Sequence, residues 1–402
     1  MASFNGKPDI LVVGGGMISR EVILPTVFQE QKYGRVGDIA ISSLTGDIIR
    51  ELQGMFPKFK GYPDPDRYGM TEKFPNMFKD AIAELPEDGV VVVATPDHLH
   101  TPVIKAAIEA GRHVIVEKPL CLKVEEAHEI IRMADEKGIY VLTDYHKRHD
   151  RSVRAARYKF RKGLLEEMLH GHAWIEEPKY MALEVFKDWC EKSSSFEYIG
   201  VHYADVYYFV TGLRPKRLVA FGQKKYLPAM GKNAYDAVQA TIEWEDGSVF
   251  FIQTSWVNNP KNSAMTNQGM MLLGTLGEYW ADHKDRNTHF VTDEKGYEEY
   301  NPNFFKQYDS WDFPGEADNT GYGYDSIVQG INDIRRITQA TCGMDAQKAL
   351  ETRKRMLKDM EETRGLPGQA LVGVAVNNAV RMSADAGGKF VLFDKDMRLR
   401  FE

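Results

Sequence analysis

DILVVGGGMIS, residues 9–19, passes from an apolar run of strand character straight into three glycines and then into helix-compatible sequence. A strand, a glycine turn and a helix in that order form the first βα unit of a dinucleotide-binding sheet, provided the alternation continues. It does. Strands are predicted over residues 38–42, 89–94 (GVVVVA), 113–116 and 140–142. Helices are predicted over 17–30, 47–55, 101–110 and 124–136, with Gly111 marking a helix end. Strands alternating with helices imply a parallel, doubly wound α/β sheet, in which ligands bind outside the carboxyl ends of the strands.

From about residue 150 the pattern changes. Helical segments at 152–167 and 197–209 precede strand candidates at 217–222, 237–243, 248–256, 270–273 and 279–281, with GTLGEYW (274–280) as a turn. This is α+β order, with a large, mostly antiparallel open sheet. A helix is expected over 326–340. The charged stretch 345–364 aligns Ala349, Leu350, Met356, Leu357 and Met360 on one stripe and reads as a packed surface helix. Two domains follow, a dinucleotide-binding domain over 1–148 and an α+β domain over 149–402.

Composition narrows the function. The 402 residues carry a net charge of −7, which argues against a general binder of nucleic acid or anionic membrane. No apolar run approaches a membrane span, and the first residues lack the pattern of a signal peptide. Three widely spaced cysteines, Cys121, Cys190 and Cys342, fit a reducing compartment, so a cytoplasmic location is expected.

Three stretches bear on chemistry. In the turn, Gly14 makes the tight bend and Gly16 lets backbone approach a pyrophosphate, with Met17 and Ile18 opening the helix whose free N–H groups face the phosphates. Ser19 is small enough for the third position of the motif. The second strand ends at Ser42-Ser43 with no carboxylate for a ribose 2′-OH. Ser43 suits a hydroxyl or a phosphate and Arg50 lies a turn or two on, so NAD and NADP both remain open, with NAD slightly favoured. TPDHLH (95–100) follows the third strong strand and places Thr95, Pro96 and His100 beside the cofactor. Its two histidines have no third ligand, and no metal site is expected. In HVIVEKPL (113–120), an apolar strand ends on Glu117, Lys118 and Pro119, which suits a site at the strand tip rather than a core.

The glycine turn, ATPDHLH, VEKP and a helix bearing GVHYAD (200–205) together resemble the glucose–fructose oxidoreductase/inositol dehydrogenase (Gfo/Idh/MocA) family. YHKRHD (145–150) resembles its domain junction and residues 370–388 its closing helix, with 345–364 as an insertion. The resemblance implies a Rossmann domain, hydride transfer between nicotinamide and a secondary alcohol or ketone of a sugar, glycoside or cyclitol, and homo-oligomers (dimers or tetramers) built through the C-terminal sheet. It implies Lys118 as the cation facing the substrate oxygen, His202 as acid/base, and Glu117 on the cofactor side, with Lys118–Pro119 a candidate cis peptide. The aspartate that many relatives carry four residues before the histidine is Tyr198 here, so the trio becomes Lys118, Tyr198 and His202. Asp205 is expected to orient the imidazole or bind a substrate hydroxyl, or else to cap or bridge structure, and Lys147 and Arg148 to reach substrate or cofactor or else to form a solvated junction. Two alternatives stand beside the dehydrogenase. One is a redox-neutral glycoside-processing enzyme that transiently oxidises its substrate, commonly at C3, with a retained cofactor. The other is a non-catalytic dinucleotide-binding protein.

Overall fold

The computed structural model describes residues 6–262 and 264–402. By internal contacts the chain divides into two compact units. The first takes in the chain up to Cys121, then Glu125–His146 and Phe305–Gln369; the second holds Leu122–Val124, Lys147–Phe304 and Ala370–Glu402.

The first unit is built on six parallel strands, β1 (Ile10–Val13), β2 (Ile39–Ser42), β3 (Lys60–Tyr62), β4 (Val90–Val93), β5 (His113–Glu117) and β6 (Val141–Asp144), in spatial order β3-β2-β1-β4-β5-β6. Every residue of β1, β4, β5 and β6 is buried, as expected of a parallel sheet covered on both faces. One face packs Ile10, Val12, Ile41, Val90, Val92, Ile115 and Leu142 into a core completed by the Tyr322–Thr341 helix through Ile327, Ile331, Ile334 and Ile337. That helix lies close: a Cβ added to Gly330 would sit 2.8 Å from Ile115 and 2.9 Å from Leu142. The 345–364 segment is helical over Ala346–Met360. Its apolar stripe packs inward, with Met360 in the same core and Met356 and Leu357 against it. Residues 305–369 thus return to the first unit, and the helix pair they form covers its sheet.

The order reverses between β1 and β4. There the glycine turn passes so close to the end of β4 that a Cβ on Gly14 would lie 2.3 Å from the Ala94 carbonyl oxygen, and Gly14 has φ +115°. Backbone meets backbone, so neither partner has a side chain that can move aside.

The second unit carries a mixed, mostly antiparallel sheet. Its strands are β7 (Met168–Pro178), β8 (Pro215–Gln223), β9 (Ala237–Trp244), β10 (Val249–Asn258), β11 (Asn267–Gly274) and β12 (Glu278–Asp282). Two hairpins follow, β13 (His289–Thr292) with β14 (Gly296–Glu299) and β15 (Lys306–Asp309) with β16 (Ala317–Thr320), the latter in the first unit's part of the chain. β17 (Val391–Phe393) and β18 (Leu399–Phe401) then complete the eight-stranded order β12-β11-β7-β10-β9-β8-β17-β18, in which only β7 and β10 run parallel. Alternation is clean on β9, where Val238, Ala240, Ile242 and Trp244 are buried and their neighbours are not. β7, the strand between β10 and β11, was not expected from the sequence. MLHGHAWIEEP mixes glycine, histidines and glutamates with its apolar residues, and only the neighbouring strands make it a strand.

Replacing Gly14 by alanine is expected to lower stability by at least about 2 kcal/mol, from the positive φ and the backbone clash together. Gly16→Ala, where nothing lies within 4 Å of the added Cβ, should leave the melting temperature unchanged. Thermal unfolding of the two variants checks this.

Candidate functional site

In the first unit, the residues singled out in the sequence gather at the carboxyl ends of the parallel strands. The glycine turn follows β1 and is fixed by the Ser19 hydroxyl donating to the Gly14 carbonyl at 2.7 Å and by Arg20 Nε donating to the Gly15 carbonyl at 2.9 Å. Gly16 faces open space, the room a pyrophosphate needs, and the helical turn that begins beyond it leaves its first N–H groups without intrahelical partners. Ser43, just past β2, brings its hydroxyl within 3.3 Å of the position a Gly15 Cβ would take. Arg50 is paired with Asp66, and Arg20 with Glu51.

Past β4, the Thr95 hydroxyl oxygen is buried without a hydrogen-bond partner. His100 braces two turns: Nδ1 lies 2.8 Å from the Pro119 carbonyl and Nε2 2.9 Å from that of Thr95. Burial holds its pKa below the ordinary value although Asp97 and both carbonyls pull it upward. The Lys118–Pro119 peptide is cis. Glu117 and Lys118 are each 7 % exposed.

One member of this group was missed in the sequence. β6 runs on to Asp144, whereas the expected strand stopped at 142, and the parallel register sets Asp144 directly beside Glu117. Asp144 is 3 % exposed, and one oxygen of each carboxyl, Glu117 Oε1 and Asp144 Oδ1, has no hydrogen-bond partner. Burial raises both, Glu117 to about 8 with the Asp144 charge adding to the effect, and Asp144 to about 7, while Lys118 lowers each. The available signal was the one that singled out Glu117, a carboxylate closing a buried apolar strand.

In the second unit, His202 is buried in the first turn of the Val201–Thr211 helix and Tyr198 sits in the π-helical turn Phe196–Gly200 that leads into it. The Tyr198 ring is packed among Phe186, Trp189 and Trp256 at centroid distances of 4.8, 5.2 and 6.3 Å. This is an aromatic nest, with Trp256 fastened by its indole N–H to Glu177 at 3.0 Å. Asp205 is clamped by Arg148, with Nε donating at 2.8 Å and a terminal nitrogen at 2.6 Å, both residues almost wholly buried. Burial nevertheless holds the Asp205 carboxyl above its usual range. Lys147 donates to Gln268 and lies 5.0 Å over the Tyr203 ring, whose hydroxyl reaches His283 Nδ1 at 2.9 Å. Arg148 and Asp205 therefore hold each other, and Lys147 is engaged within its own unit. Among the described residues, no group of three or more His, Cys, Asp or Glu side chains is placed to hold a metal ion.

The Arg148–Asp205 pair yields a stability test. Arg148→Ala strands a buried carboxylate and is expected to cost about 3–5 kcal/mol, whereas the double variant carrying Arg148→Met and Asp205→Leu should recover most of that loss. Chemical denaturation of the two variants beside the unaltered protein reads it out.

Comparison with known proteins bears on the family and the fold. Residues 9–145 match the model of the oxidoreductase family with NAD-binding Rossmann fold, and residues 153–280 match that of the GFO/IDH/MocA C-terminal domain. A 2,7-anhydro-N-acetylneuraminate hydratase of Mediterraneibacter gnavus is 29% identical over 176 residues, 40% of this chain and 46% of that protein. A 1,5-anhydro-D-fructose reductase of Ensifer adhaerens is 29% identical over 168 residues, 41% and 49% of the two chains. The chain thus spans about half the length of these curated relatives. A myo-inositol 2-dehydrogenase of Thermotoga maritima is 21% identical over 258 residues, 64% of this chain and 71% of its own. Among solved structures, GenD2 from gentamicin A biosynthesis in complex with NAD superposes with a TM-score of 0.71 at 17% identity, over 98% of both chains. With two family models together covering 9–145 and 153–280, the chain belongs to the Gfo/Idh/MocA oxidoreductases, and its first domain is their NAD-binding Rossmann domain.

Proposed function

We propose that this protein is an NAD-dependent dehydrogenase acting on a secondary alcohol of a sugar, glycoside or cyclitol, or on the corresponding ketone. The observation that carries the reading is the placement of Lys118, a buried cation at the tip of β5 on the same strand ends as the glycine turn. The names of the relatives, an anhydrofructose reductase and an inositol dehydrogenase, support the substrate class. NAD is favoured over NADP because Arg50 and Arg20 are each paired with a carboxylate, leaving little free positive charge for a 2′-phosphate.

The bound dinucleotide supplies the hydride acceptor or donor. Gly14, Gly16 and the amides of Met17 and Ile18 hold its pyrophosphate, Ser43 its adenine-side ribose, and Thr95, Pro96 and Glu117 line its other half. Lys118 stabilises the negative charge that develops on the substrate oxygen as hydride leaves. His202 takes up the hydroxyl proton, work suited to an imidazole near neutral pH. Tyr198 donates to a substrate oxygen, with its ring held by its aromatic neighbours. Arg148 and Asp205 stiffen the helix that presents His202. Lys147, through Gln268, acts as a further positioning group. The half-exposed side chains of the second sheet's outer side, Phe221 and Trp280 among them, are proposed to pair copies of the chain.

A second reading is favoured by one specific observation, the resemblance to a hydratase acting on an anhydro sugar. In that reading the substrate is oxidised only transiently, and the cofactor is never released.

Mass spectrometry of the dinucleotide that co-purifies, followed by absorbance of reduced nicotinamide against a panel of sugars, glycosides and inositols, separates the two readings. Accumulating NADH with one panel member establishes the dehydrogenase, while turnover without accumulation establishes the redox-neutral reaction. Lys118→Ala should cut turnover by about 10²–10³ and His202→Ala by about 10²–10⁴, each with NADH affinity changed only a few-fold. Unchanged turnover in either variant removes that residue from the chemistry.

A further inference from the structure

Glu117 and Asp144 are neighbours on adjacent parallel strands, and both lie on one face of the sheet. Ile115 and Leu142, two residues earlier on the same strands, point into the core formed with the Tyr322–Thr341 helix. The period of two therefore turns Glu117 and Asp144 toward that helix, and the Ser326 hydroxyl on it meets Asp144. Two carboxyls side by side and more than nine-tenths buried, each with an oxygen lacking a hydrogen-bond partner, do not both ionise at little cost. On the neighbouring strand ends and the helix, Lys118 stands at the β5 tip, Asp97 and His100 follow β4, His146 follows β6, and Asp325 lies in the first helical turn. Of these, Lys118 acts on both carboxyls. One ionised carboxylate balances the Lys118 ammonium. Ionising the second carboxyl as well would set two like charges side by side in a buried site, which favours one proton held by the pair.

The topology says what arrives next. With the glycine turn at the order reversal, a dinucleotide held there would lie across the strand ends, its adenine half toward β2 and its nicotinamide half toward β4, β5 and β6. The oxidised nicotinamide ring is a cation, and the reduced ring is neutral. We propose that Glu117 and Asp144 form a proton-sharing pair that gives up its remaining proton when the oxidised cofactor binds and keeps it when the reduced cofactor binds. In the binding step one carboxyl O–H breaks, the proton passes to solvent, and no electrons move. In the oxidation proposed above, on which this inference rests, the ring becomes neutral and the pair regains one proton, matching the one that the alcohol hydroxyl gives up. Both carboxyls being held above the ordinary carboxylate range, at about 8 and about 7, agrees with such a pair and sets the window to test around pH 7 to 8.

Calorimetric titration of the full-length protein with NAD and with NADH, each in two buffers of different ionisation enthalpy from about pH 5.5 to 9, counts the protons exchanged. Near pH 7, NAD is expected to release a large fraction of one proton and NADH close to none. NAD affinity should climb up to about tenfold per pH unit across the window and then level off, with NADH affinity flat. Asp144→Asn should abolish the release while both forms still bind. If that variant does not fold, Ser326→Ala decides the point. It removes a hydroxyl that lowers the Asp144 pKa, so the midpoint of release should move to higher pH. Equal proton counts for the two cofactor forms, release that survives Asp144→Asn, or an unmoved midpoint in Ser326→Ala would each overturn the inference while leaving the dehydrogenase reading intact. If neither dinucleotide binds, both fall.

Discussion

The close approach of two backbones at the centre of the parallel sheet governs the first unit. The turn after β1 must clear the end of β4, and the 2.3 Å that separates a hypothetical Gly14 Cβ from the Ala94 oxygen leaves glycine as the residue that fits. That contact sits where the strand order reverses, so the same constraint that lets the strands pair opens the crevice at their carboxyl ends. The apolar runs of β1, β4, β5 and β6 are buried throughout their length, which confines polar chemistry to the strand tips. Glu117, Lys118 and Asp144 stand at or just past those tips.

The second unit is organised differently. Its sheet is half-buried and four pairs of its polar groups are matched within it: Arg148 with Asp205, Arg381 with Glu197, Trp256 with Glu177, Tyr203 with His283. Matched buried pairs add little net stability, but they are costly to break and so fix geometry. Around the Val201–Thr211 helix this gives His202 a rigid mounting. Tyr198, in the turn before it, is packed by the rings of Phe186, Trp189 and Trp256.

The return of residues 305–369 to the first unit changes how that sheet is covered. The Tyr322–Thr341 helix seats four isoleucines on the face shared by Ile115 and Leu142, and Gly330 lets it come close. Because it lies over the β5 and β6 tips, it also brings Ser326 to Asp144. A helix nearly two hundred residues beyond β6 in the chain thereby shapes the electrostatics of the strand ends.

Local patterns in the sequence determined the parallel sheet, the glycine turn, the strand ending in Glu117 and Lys118, and the helix bearing His202. Each is encoded by short-range features: continuous β-branched runs, a tight turn, helical spacing. The inward stripe of 345–364 was legible for the same reason. Strand β7 was not, since a central strand with glycine, histidine and glutamate in it is specified by its partners on both sides and not by its own composition. Nor was the Glu117–Asp144 pair, because strand register is a property of two segments 27 residues apart that only pairing aligns. The commitment of Asp205 to Arg148, and of the His100 ring to two carbonyls, was likewise decided by tertiary structure. Residue types name the groups available for chemistry; which of them are held by a neighbour depends on distances that only folding creates.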